Sequence, residues 1–152
     1  MADSKSLRVG FIGAGRAATG LALALHHQGY RVTSVASRTL ASAEALAGRI
    51  EGCTPLKTPQ DVADGCDLVF ITTPDDAIAT VARSVRWHRD MGVAHCSGAE
   101  SAAILEAARK QGARVGSFHP MQTFAATNQG AASLSGIAFA VEGPPPLIDT
   151  LK

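Results

Sequence analysis

Short apolar runs alternate along this chain with longer alanine- and leucine-rich stretches whose apolar positions recur at helical spacing. That alternation predicts repeated βαβ units around a parallel sheet. The run "LRVGFIG", Leu7 to Gly13, predicts a buried first strand, and "RAATGLALALHHQG" a helix that Gly29 closes. "RVTSVAS" predicts the second strand, followed by a helix over "LASAEALAGRI". A weaker third strand falls near "CTPLK", with a short helix in "PQDVADG" that has Pro59 near its start. "CDLVFITT" is a strongly apolar fourth strand. Pro74 then opens a helix because its fixed φ suits a first turn, and Asp75 and Asp76 complement the N-terminal dipole. "GVAHCS" and "ARVGSF" predict the fifth and sixth strands, separated by a helix from Glu100 to Gln111.

From His119 to Gly136 neither helical nor alternating periodicity is present, and a loop longer than about 12 to 15 residues is usually functional or disordered. "GIAFAVEG" predicts a seventh strand entered without a crossover helix, which implies antiparallel pairing at the sheet edge. The expected fold is therefore α/β, a Rossmann-type doubly wound, mostly parallel sheet of six strands plus an antiparallel edge strand, over residues 1–143. Residues 144–152 hold "PPPLIDTLK", which reads as the Pro-initiated start of a helix leading to a C-terminal helical domain absent from this chain.

Composition narrows the function. The 152 residues suit one domain with a proper core. Although 46% of them are hydrophobic, no apolar run approaches the ~18 that a membrane span needs. "MADSKS" lacks the apolar centre of a signal peptide, so a cytoplasmic location and no membrane partner are expected. Fourteen basic against thirteen acidic residues leave a charge of +1 without a basic run, which gives no electrostatic case for nucleic acid. Cys53, Cys66 and Cys96 form no C-x-x-C pair and are odd in number; they read as reduced thiols, and no grouping has metal-ligand spacing.

The turn after the first strand holds G-x-G-x-x-A in Gly13, Gly15 and Ala18. Gly13 permits a tight turn, Gly15 lets a pyrophosphate approach the backbone, and Ala18 lets the helix pack closely on the sheet. The N–H groups around Ala14, Arg16 and Ala17 then face the phosphates. Sites selective for NAD place a carboxylate about 20 residues on, at the end of the second strand. Here Ser37 and Arg38 stand there, and no acidic residue occurs between Gly13 and Glu44. A hydroxyl with a guanidinium fork suits a 2′-phosphate, so NADP is the expected cofactor. Thr72, Thr73 and Pro74 end the fourth strand at the edge where open α/β sheets bind ligands, and are expected to run beside the cofactor.

Ser97 follows the fifth strand and His119 the sixth, which brings both to that same edge as candidate catalytic residues. An imidazole exchanges a proton near neutral pH, as hydride reduction of a carbonyl or imine requires, and a serine hydroxyl can orient the same polar atom. The stretch from Met121 to Gly136 is then expected to close over substrate. His95 and Cys96 read as packing residues within the strand; His26, His27 and His88 read as surface residues.

The segments "FIGAGRAATGLALAL", "ITTPDDAI", "HCSGAES" and "GSFHPMQTFA", in that order, resemble the N-terminal Rossmann-like domain of a family of NADP-dependent oxidoreductases of unknown substrate. That family is related to pyrroline-carboxylate reductase, ketopantoate reductase and prephenate dehydrogenase. The resemblance implies a separate helical C-terminal domain that closes the substrate site and forms a homodimer. It also implies that Ser97 and His119 contact the reacting group, as a similar serine and histidine do in prephenate dehydrogenases, where the step is Gly-Ser and here it is Ser-Gly. The expected function is hydride transfer between NADP and a small carbonyl, imine or hydroxy substrate, the fragment alone being inactive. Two other readings remain open, a non-catalytic NADP-responsive regulatory module and a deazaflavin-linked NADP reductase.

Overall fold

In the computed structural model, which describes residues 6–97, 101–120 and 139–142, seven strands form one sheet in the order β3-β2-β1-β4-β5-β6-β7. The strands are β1 (Arg8–Ile12), β2 (Arg31–Ala36), β3 (Thr54–Leu56), β4 (Leu68–Ile71), β5 (Gly92–His95), β6 (Arg114–Pro120) and β7 (Phe139–Glu142). The helices are α1 (Arg16–His27), α2 (Leu40–Ala47), α3 (Pro59–Gly65), α4 (Asp75–Ser84) and α5 (Glu106–Arg109). The first six strands are parallel, and β7 runs antiparallel to β6, as the sequence predicts. The order reverses at β1, where β2 lies on one side and β4 on the other, and this switch point opens the crevice typical of such sheets.

Alternation along each strand divides the core between the two faces. Val9 and Phe11 of β1 and Leu68 and Phe70 of β4 pack with Leu21 of α1 and Leu46 of α2. Their in-between neighbours Ile12, Val69 and Ile71 pack on the opposite face with Val62 of α3, Ile78 of α4 and Ala108 of α5. Because both faces are covered, the strands read as continuous apolar runs rather than as an alternating pattern. The rings of Phe11 and Phe70 stack across the β1–β4 pair with centroids 5.3 Å apart.

The helix ends follow their local chemistry. Thr39 and Thr58 cap α2 and α3 by accepting the N–H groups of Ser42 and Asp61, and Pro59 takes the first turn of α3. At the far end of α1 the chain reverses through Gly29 at φ 91°, as its position predicts.

Two expectations need correction. The helix predicted from Glu100 to Gln111 is, among the described residues, a 3-10 turn at Ala102–Leu105 followed by the single turn of α5. Alanine-rich helical propensity yields there to anchoring of Ser101, whose side chain accepts the Ala103 N–H and whose carbonyl bonds the His95 ring. The sixth strand does not stop before His119 either: it continues through His119 and Pro120, which pair with Ala140 and Phe139 of β7. Residues 121–138 and 144–152, with the long loop and the final helix start expected there, lie outside the described residues.

Candidate functional site

The turn between β1 and α1 is stitched to the ends of both neighbouring strands. Gly13 donates its N–H to Ala36 at the end of β2 at 2.7 Å. On the other side Thr72, just past β4, donates its N–H to the Ile12 carbonyl and its hydroxyl to the Gly13 carbonyl at 2.9 Å. Gly13 itself adopts φ 112°, and a Cβ there would lie 2.6 Å from the Thr72 carbonyl carbon, so only glycine fits. Gly15 differs. Its φ is −81°, and a Cβ would meet nothing within 4 Å. Open space therefore faces the backbone at the second glycine.

Gly15 is also the N-cap of α1, and no side chain caps that helix and no acidic residue lies in its first turn. The first N–H groups of a twelve-residue helix, including those of Arg16 and Ala17, thus have no capping side chain among the described residues. Ala14 is half-buried against the core on the α1 face.

Beside this turn a cleft of about 550 Å³ opens at the C-terminal ends of the strands. Gly13, Ser37, Arg38, Thr73 and Pro74 all line it, five of the residues singled out in the sequence. Thr72 braces the turn next to them. Within the wall, the hydroxyl oxygen of Thr73 is buried without a hydrogen-bond partner. A buried hydroxyl in that state costs about 1 to 3 kcal/mol, which a bound polar group would relieve. The apolar remainder of the wall includes Ala77 and Val81 of α4. Sequence reasoning passed over Lys57 and read Asp76 only as a helix-start residue; both also line the cleft.

Ser97 and His119 stand apart from that cleft, toward the other side of the switch point. β5 and β6 are paired through His95 and Ser117, and Ser97 and His119 each lie two residues further along their chains. The backbone of His119 is thereby level with that of Ser97 at the ends of adjacent strands; the expected orientation of the His119 side chain lies outside the described residues.

His95 is more than a packing residue. Its ring is 0% exposed, yet both nitrogens are bonded. Nδ1 accepts the Ser97 N–H at 3.1 Å, and Nε2 lies 2.8 Å from the Ser101 carbonyl. A backbone N–H only donates and a carbonyl only accepts, so the ring is the neutral tautomer with its proton on Nε2. It ties both ends of the segment after β5 to the sheet. No sequence signal short of that segment's conformation marks this role.

Burial shifts two of the thiols. Burial pushes the Cys96 thiol up to about 12 and the Cys53 thiol up to about 11, so both stay protonated at neutral pH. Cys53, Cys66 and Cys96 form no disulfide among the described residues. His88 is a surface residue as expected, with Nε2 2.9 Å from the Cys66 carbonyl. Among the described residues no cluster could hold a metal ion, and no helix is long and apolar enough to cross a membrane.

Several solved structures resemble this fold. A Bacteroides fragilis protein described as a candidate NADP oxidoreductase is 27% identical with a TM-score of 0.85, over 99% of this chain and 57% of that one. An Aspergillus terreus reductive aminase in complex with NADPH is 18% identical with a TM-score of 0.63, over 78% of this chain and 42% of that one. A pyrroline-5-carboxylate reductase from Coxiella burnetii is 15% identical with a TM-score of 0.72, over 91% of this chain and 50% of that one. The chain spans about half the length of these proteins. Among curated proteins none matches it. The model of the Rossmann-like domain family matches residues 2–120, and the chain belongs to that family.

Proposed function

We propose that this chain is the NADP-binding domain of an oxidoreductase that transfers hydride to or from a small carbonyl, imine or hydroxy substrate. The observation that carries the reading is the combination of an uncapped α1 N-terminus behind an open Gly15 with a cleft that gathers Ser37, Arg38 and the unpartnered Thr73 hydroxyl. These groups match a dinucleotide in sequence along the sheet edge. The backbone N–H groups of Gly15, Arg16 and Ala17 suit the diphosphate, Thr73 a ribose or phosphate oxygen, and Ser37 with Arg38 the 2′-phosphate. The Bacteroides fragilis protein described as a candidate NADP oxidoreductase and the NADPH-bound reductive aminase support the same cofactor.

When bound, the nicotinamide supplies or accepts the hydride. The chain's own residues have the other tasks. His119 exchanges the proton with the substrate oxygen or nitrogen, Ser97 orients that atom, and His95 fixes the backbone from which Ser97 projects. A second, helical domain completes the substrate site and the homodimer in the full-length protein, in keeping with the greater length of the matched structures.

The test is NADPH oxidation by the full-length protein against a panel of keto acids and cyclic imines. With a substrate in hand, His119→Asn lowers kcat about 10² to 10⁴ fold and leaves NADPH affinity nearly unchanged. A protein that binds NADPH and oxidises it with no member of the panel, or a His119→Asn variant with unchanged kcat, contradicts the catalytic assignment and favours a regulatory module.

A further inference from the structure

β3 contributes a residue to the cleft that the glycine turn and the Ser-Arg pair do not account for. Ala36 at the end of β2 is level with Leu56 at the end of β3, so the next residues, Ser37 and Lys57, leave the sheet side by side. Neighbouring strands are about 4.8 Å apart. Lys57 has little freedom to sit elsewhere, because Thr58 immediately after it caps α3 through the Asp61 N–H and Pro59 begins the helix. Its side chain lines the same cleft as Ser37 and Arg38.

Two cations thus stand at one end of the cleft without a compensating anion. The ion pairs among the described residues join Arg8 to Asp67, Arg109 to Glu106 and Arg114 to Asp90, and none includes Arg38 or Lys57. The carboxylate that shares the cleft, Asp76, is rooted on α4 after β4, three strands away from β3. A phosphate monoester carries about −1.5 to −2 charges at pH 7. One arginine neutralises only part of that charge.

We propose that Lys57 is a second specificity-determining contact for the 2′-phosphate of NADP, sharing the dianion with Arg38. The inference rests on the NADP reading above and adds a residue to it. Arg38 supplies a planar fork and Lys57 a point charge on a flexible stem, so the two approach one phosphate from adjacent strands without competing for the same oxygens. The discrimination against NAD then comes from two strand ends rather than one.

The experiment is a calorimetric titration of the full-length protein with 2′,5′-ADP and with 5′-AMP, which differ only in the 2′-phosphate. The parent binds 2′,5′-ADP more tightly. Lys57→Met, which keeps the apolar stem at an exposed position, weakens 2′,5′-ADP about tenfold, the loss of one charge-assisted contact, and leaves 5′-AMP within about twofold. Lys57→Arg restores the preference. If Lys57→Met binds 2′,5′-ADP as tightly as the parent while Arg38→Ala loses the preference, the Lys57 proposal is overturned and the NADP reading stands. If the parent itself does not distinguish the two nucleotides, the NADP reading fails and the role of Lys57 fails with it.

Discussion

The carbonyl of Gly13 accepts the Thr72 hydroxyl at 2.9 Å, and this contact locks the first glycine of the turn against the end of β4 while leaving the second glycine exposed to open space. The two glycines of one motif therefore have separable jobs. Gly13→Ala meets both a positive φ and the Thr72 backbone, and it lowers stability by about 2 to 4 kcal/mol in urea unfolding. Gly15→Val leaves the thermal midpoint within about 2 °C but lowers NADPH affinity at least 100-fold, because the branched side chain occupies the phosphate's approach. Equal loss of stability in both variants contradicts this division.

Thr73 gives the opposite signature to Thr72. Its buried hydroxyl has no partner among the described residues, so Thr73→Val removes an unmet desolvation cost and raises the unfolding free energy of the ligand-free protein by about 1 to 3 kcal/mol. The same change weakens NADPH binding about threefold to tenfold, as loss of one hydrogen bond does. Thr72→Val instead removes the bonds to Ile12 and Gly13 and destabilises the protein by about 1 to 2 kcal/mol before any ligand is added. Denaturation and titration on the two variants together check the contrast.

His95→Phe keeps an aromatic ring there, though a larger one, and leaves the Ser97 N–H and the Ser101 carbonyl without their partner. The expected cost is about 1 to 3 kcal/mol, with faster amide exchange at Ser97. Unchanged exchange there would show that the ring does not hold this segment.

These contrasts also show what the sequence made legible. The glycine turn, the Ser37–Arg38 pair and the parallel strands depend on local patterns: an apolar run, a turn residue, a helix start. The features that escaped reading depend on distant partners. β6 extends through His119 and Pro120 because β7 pairs with it from the far side of residues 121–138. Lys57 looks like any surface lysine until β3 is placed beside β2. His95 reads as core from its apolar neighbours; only the conformation of the segment it bonds gives its ring nitrogens a purpose. The helix expected from Glu100 failed for the same reason, since anchoring of Ser101 to that ring overrides alanine's propensity.

At the opposite edge of the sheet, Arg8 bonds Asp67 through its backbone N–H and its guanidinium, and this joins the starts of β1 and β4. The guanidinium hydrogen bonds hold the Asp67 carboxyl below its usual range. A depressed folded-state value means that the pair stabilises the fold above the ordinary carboxylate pKa and that this contribution is lost as pH falls through the depressed value. Because Arg8 is exposed and Asp67 only half-buried, the effect is small: Asp67→Asn lowers the Tm by about 3 °C or less at pH 7, and the difference shrinks toward zero as pH falls through the depressed Asp67 value. A difference that grows on acidification contradicts the sign.

At the C-terminal edge of the sheet, Arg38 and the glycine turn are the proposed contacts for NADP. The most direct test of this assignment is a titration of the purified protein with NADPH and NADH under identical low-salt conditions. The expected result is at least about a tenfold preference for NADPH, and loss of that preference in Arg38→Ala at a cost of roughly 1.5 to 3 kcal/mol in NADPH binding. Equal affinity of the parent protein for the two cofactors, or a preference for NADPH that survives in Arg38→Ala, would contradict it.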